Sequence, residues 1–259
     1  MKARFIRQQA PAAPWCRRGA FFSLTLFLVS GAGHRFGLLE TVPFFWLLGI
    51  AGALSLASLV LGGIALVQVW EHGSSGASVA AGGIFVAVIA LTPYGVSAYR
   101  FFEHPPLMDI SSDLDDPPKM PLAAGARTGA MNALVDATDE NRDLQHSEYP
   151  EIAGRRYEHT AEKVVEVVHL MMEERGWQPK GMSKAKLAGA SVTLEGLAHS
   201  YFLGFPADVA IRIEDDQTAT FVEMRSASRY GRHDLGDNAA RIKRFLNELD
   251  ERLALLAAV

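Results

Sequence analysis

Hydroxyl, guanidinium, carboxyl and amide side chains are gathered in one stretch near the end of the chain, between a predicted strand and the last predicted helix. The candidate residues are Ser226, Ser228, Arg229, Gly231, Asp234, Gly236, Asn238 and Arg241. Free N–H groups at the start of a helix attract anions, and Arg232 would add positive charge beside them. The stretch is therefore a candidate binding site for a phosphate or carboxylate, such as an anionic lipid headgroup, or for a protein partner.

A structural interpretation of the same stretch stays open. Asp234 or Asp237 would cap the helix that follows, and one of the arginines would pair with an aspartate. Gly231 and Gly236 would then only form turns. The carboxylates would also repel an anion, which weakens the case for a phosphate site.

Known catalytic and cofactor patterns do not occur in the sequence. It has no GxSxG, HExxH or CxxC pattern and no glycine loop with a phosphate-binding lysine. Serine, histidine and aspartate residues occur, but no spacing joins them into a triad, and His199 and His233 are isolated. We therefore expect no catalytic, cofactor-binding or metal-binding residue. The net charge of −4 argues against nucleic acid as a partner.

Charge divides the chain into two halves. Between residues 19 and 102 only Arg35, Glu40, Glu71 and Arg100 are fully charged, whereas charges of both signs are dense from Glu103 onward. The first half holds three apolar runs, at 20–33, 42–70 and 77–102. A helix needs about 20 apolar residues to cross a bilayer, so the second and third runs are long enough and the first is marginal. We predict a basic cytoplasmic tail at 1–18 and a three-helix transmembrane anchor at 19–104.

Basic residues before the first run set the expected topology. Positive charge keeps the N-terminus cytoplasmic, so three crossings would put the second half in the periplasm of a multi-pass inner-membrane protein. The first run also resembles a signal peptide that would be cleaved near Ser30, and the remaining two crossings would leave the topology of the second half unchanged. The single cysteine, Cys16, is either lipid-modified or an inert thiol.

A proline-bracketed linker is expected at 105–148. Four aspartates near its start, Asp109, Asp113, Asp115 and Asp116, could offer oxygen ligands to a cation, but their spacing is not that of an EF-hand loop. An extended strap stiffened by prolines is the preferred interpretation. The following alanine-rich part predicts one short helix around 128–137 within a segment that wraps around the next domain.

Regular patterning begins at Tyr149 and predicts an α+β domain at 149–259. An apolar face at helical spacing from Ala161 predicts one helix, and a longer stripe predicts a second at about 235–256. Alternation of apolar and polar residues predicts antiparallel strands joined by short turns, one before the first helix and the others between the two helices. The order is β-α-β-β-β-α, with a further strand possible near 178–182. Two helices would cover one face of the sheet. The aromatic segment 201–206 is expected in the core, with a bilayer surface or a partner as the alternative.

Three blocks of residues resemble a known bacterial family, the domain of unknown function numbered 1499. The blocks are Pro105-Pro106 with Asp109-Ile110-Ser111, Asp113 and Pro117-Pro118; Arg175-Gly176-Trp177 with Phe202-Leu203-Gly204-Phe205 and Asp208-Val209; and Ser226-Ala227-Ser228-Arg229 with Gly231, Asp234-Leu235-Gly236, Asn238 and Arg241-Ile242. Ala207 and Leu107-Met108 depart from the pattern, where such proteins often have more polar residues. The resemblance implies the α+β architecture after membrane helices, and it implies no activity.

Two functions from different classes fit this organisation. The first is a non-enzymatic, membrane-anchored binding or scaffold module of the envelope, which would hold a lipid headgroup or a protein partner. The second is an envelope hydrolase or transferase acting on a phosphorylated or lipid substrate. An enzyme needs a cleft with a nucleophile or base within hydrogen-bond reach of its partner, whereas a scaffold tolerates side chains bonded to one another. A purely structural anchor is the third interpretation.

Overall fold

The computed structural model describes residues 8–184 and 191–257. The chain forms two compact units, Met1–Tyr99 and Arg100–Val259. The first unit is helical and the second contains a sheet with helices, so the α+β prediction with N-terminal apolar helices is confirmed.

The first unit consists of α1 (Ala12–Arg35), α2 (Thr41–His72) and most of α3 (Ala77–Glu103). α1 packs closely on α2 through small side chains, since the hydroxyls of Ser23 and Ser55 are 2.8 Å apart. Among the described helices, α2 and α3 are long and apolar enough to cross a membrane. α1 is not one of them, so its role as a third crossing stays a prediction.

The second unit is built on a six-stranded antiparallel sheet. Its strands are β1 (Asp109–Ser111), β2 (Arg155–Tyr157), β3 (Gln178–Lys184), β4 (Ser191–His199), β5 (Pro206–Asp215) and β6 (Thr220–Ser228). Their spatial order is β1-β6-β5-β4-β3, and β2 pairs with β6 further along the same edge as β1. The helices are α4 (Pro121–Ala126), α5 (Asp139–Glu148), α6 (Ala161–Glu174) and α7 (Asp237–Ala257).

The hydrophobic core lies between the sheet and the helices α6 and α7. Successive strand residues point to opposite faces, so Val209, Ile211 and Ile213 of β5 all point to the same side. They join Met171 of α6 and Phe245 of α7 in one buried cluster. Each fully buried aliphatic or aromatic side chain stabilises the unit by about 1.5–3 kcal/mol, which makes this layer its main source of stability.

The predicted wrapping segment covers the other face of the sheet. Met120 and Ala123 pack on Ala210 of β5 and Ala227 of β6. The buried carboxylate of Glu195 accepts hydrogen bonds from the backbone N–H groups of Leu122 and Ala123 at the start of α4, at 3.2 and 2.8 Å. The sheet is therefore enclosed on both faces, by helices on one and by the linker on the other.

Three local predictions need correction. The short helix expected around 128–137 is wrong, because that stretch is irregular and Asn132 donates its backbone N–H to the Arg229 carbonyl, at 2.7 Å. The last helix begins at Asp237 instead of 235, since Leu235 and Gly236 have φ values of 56° and 78°, outside the helical region. The tip of the aromatic segment is exposed and not part of the core. The further strand near 178–182 is confirmed as β3.

Candidate functional site

Strand alternation divides the candidate stretch between the two faces of the sheet. Ser226 and Ser228 of β6 point to α7, where they meet Asn238 and Arg241. Arg229 points to the linker side and meets Asp208 of β5. We call these groups the helix-side network (Ser226, Ser228, Asn238, Arg241 and Asp234) and the linker-side network (Arg229, Asp208, Arg127 and Asn132).

Asn238 is the centre of the helix-side network. Its Oδ1 accepts hydrogen bonds from Ser226 Oγ at 2.8 Å and from Arg241 Nη1 at 2.6 Å, and Arg241 Nη1 also donates to Ser226 Oγ at 2.8 Å. Its Nδ2 donates to the Met108 carbonyl and to Ser228 Oγ, both at 3.0 Å. Ser226 and Asn238 are fully buried, so these side chains are bonded to one another and not to solvent.

Asp234 caps the start of α7, as the structural interpretation predicts. Its Oδ1 accepts from the Gly236 N–H at 2.9 Å and its Oδ2 from the Asn238 N–H at 2.8 Å. Burial raises the pKa of the Asp234 carboxyl, and the two N–H donors oppose this rise only in part. Burial also lowers the pKa of the Arg241 guanidinium.

Asp234 should give the protein a distinctive pH dependence. A carboxyl whose folded pKa exceeds the unfolded value of 3.8 binds protons more tightly in the folded state, so its contribution to stability is largest at low pH and is lost as the pH rises through the folded pKa. Asp234→Asn keeps one acceptor and cannot titrate. We expect the full-length wild type in detergent to lose thermal stability relative to this variant as the pH rises above 3.8. Parallel curves for the two proteins would contradict the prediction.

One carboxylate holds two arginines in the linker-side network. Asp208, which is fully buried, accepts from Arg229 Nη2 at 2.7 Å and Nε at 3.0 Å, and from Arg127 Nε at 2.9 Å. Arg127 also donates to the carbonyls of Asn132 at 2.6 Å and Ala227 at 3.0 Å. The network therefore fixes the irregular linker to the ends of β5 and β6.

The acidic linker residues serve the same purpose further along the sheet. Asp109 accepts two hydrogen bonds from Arg225 of β6, at 2.9 and 2.7 Å. Asp113 and Asp116 both accept from Arg212 of β5, at 3.0 and 2.6 Å. Among the described residues, no group of three or more His, Cys, Asp or Glu side chains is placed to hold a metal ion.

A cleft of about 260 Å³ opens beside the candidate stretch. Leu107, Met108 and Val135 form its apolar part, and Asp136 and Arg232 are among its charged residues. Arg232 is exposed and, within the part of the chain that the structure describes, has no hydrogen bond or ion pair. It is therefore the arginine of this stretch that remains available to a ligand.

His233 joins the candidate stretch to the end of α3. Its Nε2 donates to the carbonyl of Phe101, in the last turn of that helix, at 3.1 Å, and to the carbonyl of His104, which follows the helix, at 3.0 Å. Its Nδ1 accepts from the Leu235 N–H at 2.9 Å, and these contacts fit the tautomer that carries its proton on Nε2. A side chain at Gly236 would lie 2.7 Å from the His104 ring, and only glycine fits there.

Four residues of the site were not predicted from the sequence: Asp208, Arg127, Asn132 and His233. Alternation correctly points Asp208 away from the helices, but no sequence signal reveals that Arg127 of the wrapping segment and Arg229 meet it there. His233 is isolated in sequence, and its partners are backbone carbonyls that carry no sequence signature.

Comparison with known proteins gives one match. The family described as a protein of unknown function, DUF1499, matches residues 109–249, which is more than half of the chain. No curated protein and no solved structure matches. The matched range begins at β1 and ends within α7, so it contains the sheet, both networks and most of the linker. The chain therefore belongs to the DUF1499 family.

Proposed function

We propose that this protein is a non-enzymatic, membrane-anchored binding or scaffold module of the cell envelope. The observation that carries the proposal is the helix-side network, in which the Ser226 hydroxyl is buried and bonded to Asn238 and Arg241. Neither neighbour is a general base, and a hydrolase or transferase that used Ser226 as its nucleophile would need one within hydrogen-bond reach. The alternative, an envelope hydrolase or transferase, would need such a pair in an open cleft.

Membrane anchoring is supported by the composition of the first unit. α2 and α3 are long and predominantly apolar, with at most two charged side chains in their most apolar 18 residues. Large apolar side chains such as Trp46, Trp70 and Phe85 are exposed on them, which is favourable in lipid and unfavourable in water. Basic residues before α1 favour a cytoplasmic N-terminus, and with α1 as the third crossing they favour a periplasmic second unit in the inner membrane.

The cleft beside Arg232 is the surface that we assign to the ligand. Its apolar residues suit a hydrocarbon or apolar side chain, and Arg232 suits an anionic group. The two carboxylates at the cleft have partners of their own, since Asp109 pairs with Arg225 and Asp136 with Lys119, so they do not cancel the charge of Arg232. An anionic lipid headgroup and a carboxylate of a protein partner share this chemistry.

Arg232→Ala is expected to weaken the binding of an anionic lipid by about 10- to 100-fold, since a hydrogen bond to a charged group contributes about 1.5–3 kcal/mol. The measurement is native mass spectrometry of the full-length protein in detergent, titrated with phosphatidylglycerol. Arg156→Ala, which removes an exposed arginine from β2, is the matched control.

Unchanged phosphatidylglycerol binding in Arg232→Ala would contradict the assignment of the cleft. Equal losses in the Arg232 and Arg156 variants would indicate general charge attraction instead of a site. Phosphatidylcholine, which has no net charge, should bind all three proteins alike.

A further inference from the structure

The turn between β4 and β5 presents two aromatic rings to solvent. Tyr201 is 89% exposed and Phe202 is 66% exposed. The loop beneath them is closed by hydrogen bonds, since the Ser200 N–H donates to the Phe205 carbonyl at 2.8 Å and the Phe205 N–H donates to Ser200 Oγ at 2.9 Å. The rings therefore project from an ordered turn, and exposing them to water is unfavourable.

This turn lies at the end of the sheet where the chain arrives from α3. Ala207 at the start of β5 pairs with Ser228 at the end of β6. The Ser228 N–H in turn donates to the Met108 carbonyl, immediately before β1, at 2.8 Å. Neighbouring strands are about 4.8 Å apart, so β4 and β1, which are three strands apart, are separated by only about 15 Å.

The arriving chain also carries exposed aromatic side chains. Phe101 and Phe102 form an edge-to-face pair with ring centroids 5.6 Å apart, and Phe102 is 86% exposed. They belong to the last turn of a helix that is apolar enough to cross a membrane. Aromatic side chains at such positions favour the boundary between lipid and water.

A short tether keeps the sheet close to that boundary. Only residues 104–108 separate the end of α3 from β1, and an extended chain spans at most about 3.6 Å per residue. The tip of the β4–β5 turn is thus held within reach of any bilayer that α3 crosses. Because the tether has already restricted its position, insertion of the tip costs little further translational entropy.

We propose that Tyr201 and Phe202 insert into the interfacial region of the bilayer that anchors the protein, as a second contact beside the α3 end. This inference rests on the proposed membrane anchoring. The contact would fix the orientation of the sheet relative to the membrane. It would also hold the cleft, which contains Pro106 and Leu107 of the same tether, near the lipid surface.

The test uses the full-length protein in vesicles of phosphatidylcholine and phosphatidylglycerol. Cys16→Ser removes the single native thiol, and Phe202→Cys then accepts a fluorescent probe at the tip. The matched control is Glu214→Cys, an exposed position near the other end of β5. Nitroxide-labelled lipids should quench most of the fluorescence at position 202 and little of it at position 214.

Equal quenching at the two positions would overturn the proposal. A blue-shifted probe at position 202 that nitroxide lipids do not quench would indicate contact with a second copy, and would also overturn it. Alkaline carbonate extraction of the same vesicles separates the two hypotheses. If the protein resists extraction and the probe at position 202 is not quenched, the anchoring stands and only the insertion is rejected. If the protein is extracted, both hypotheses are rejected.

Discussion

Asp208→Ala is expected to destabilise the second unit by about 3–5 kcal/mol, the usual cost of leaving a buried charge without its partner. The side chains of Arg127 and Arg229 are 5% and 11% exposed, so both guanidinium groups would lose their carboxylate in a site that water hardly reaches. The loss would loosen the part of the linker around Arg127 and Asn132 from the ends of β5 and β6. Hydrogen exchange of the full-length protein in detergent, measured on peptides from β5 and β6, would report the change.

Glu166→Ala is the control for this experiment. Glu166 forms an exposed ion pair with Lys163 on α6, and its removal should change stability by less than about 0.5 kcal/mol. If exchange in β5 and β6 is the same in Asp208→Ala as in Glu166→Ala, the linker-side network does not hold the sheet. Arg229→Ala should fall between the two, since Asp208 keeps Arg127 as a partner.

Asn238→Ala is the second large effect, expected to cost about 3 kcal/mol because each buried polar group left without a partner costs about 1–3 kcal/mol. The variant leaves the buried Ser226 hydroxyl without its acceptor, and it removes one of the two donors to the Met108 carbonyl, which keeps the Ser228 N–H. We expect faster hydrogen exchange at the start of α7 and in β6. A thermal unfolding curve that matches the wild type would contradict the prediction.

Asn238→Asp separates charge from hydrogen-bond direction at the same position. The carboxylate would form an ion pair with Arg241, yet it could no longer donate to the Met108 carbonyl. If the donor to Met108 dominates, Asp will be nearly as unstable as Ala. A stability equal to the wild type would mean that the contact with Arg241 is the important one.

The sequence predicts those parts of the fold in which apolar residues recur at a regular spacing over many residues. α6 and α7 each have an apolar face that is repeated over several turns, and β4 to β6 alternate over nine or ten residues. β1 was missed because three residues are too few to establish alternation, although Ile110 is fully buried in the core. The helix around 128–137 was predicted from the alanine content of the linker. Hydrogen bonds from the linker to β6 outweigh this local helix propensity.

The sequence predicts which residues belong to the candidate site, but it does not predict which of them contact one another. The sequence brings Ser226 and Arg229 together as neighbours, whereas the pleat of β6 sends them to opposite faces of the sheet. The partners of Arg229 and Arg225 are Asp208 and Asp109, and only the strand register identifies them. Local patterning therefore predicts elements well and long-range ion pairs poorly.

The edge of the sheet formed by β1 and β2 has a consequence for biogenesis. Within residues 8–184 and 191–257, both short strands pair only with β6, and Asp109 is more than one hundred residues earlier in the chain than its partner Ala227. The nascent chain therefore cannot complete its sheet until β6 has left the ribosome, and closing so long a loop makes the fold one of high contact order and slow assembly. A chain that stopped before β6 would leave β1, β2 and β5 as unpaired edges, the form of the protein most exposed to aggregation and proteolysis.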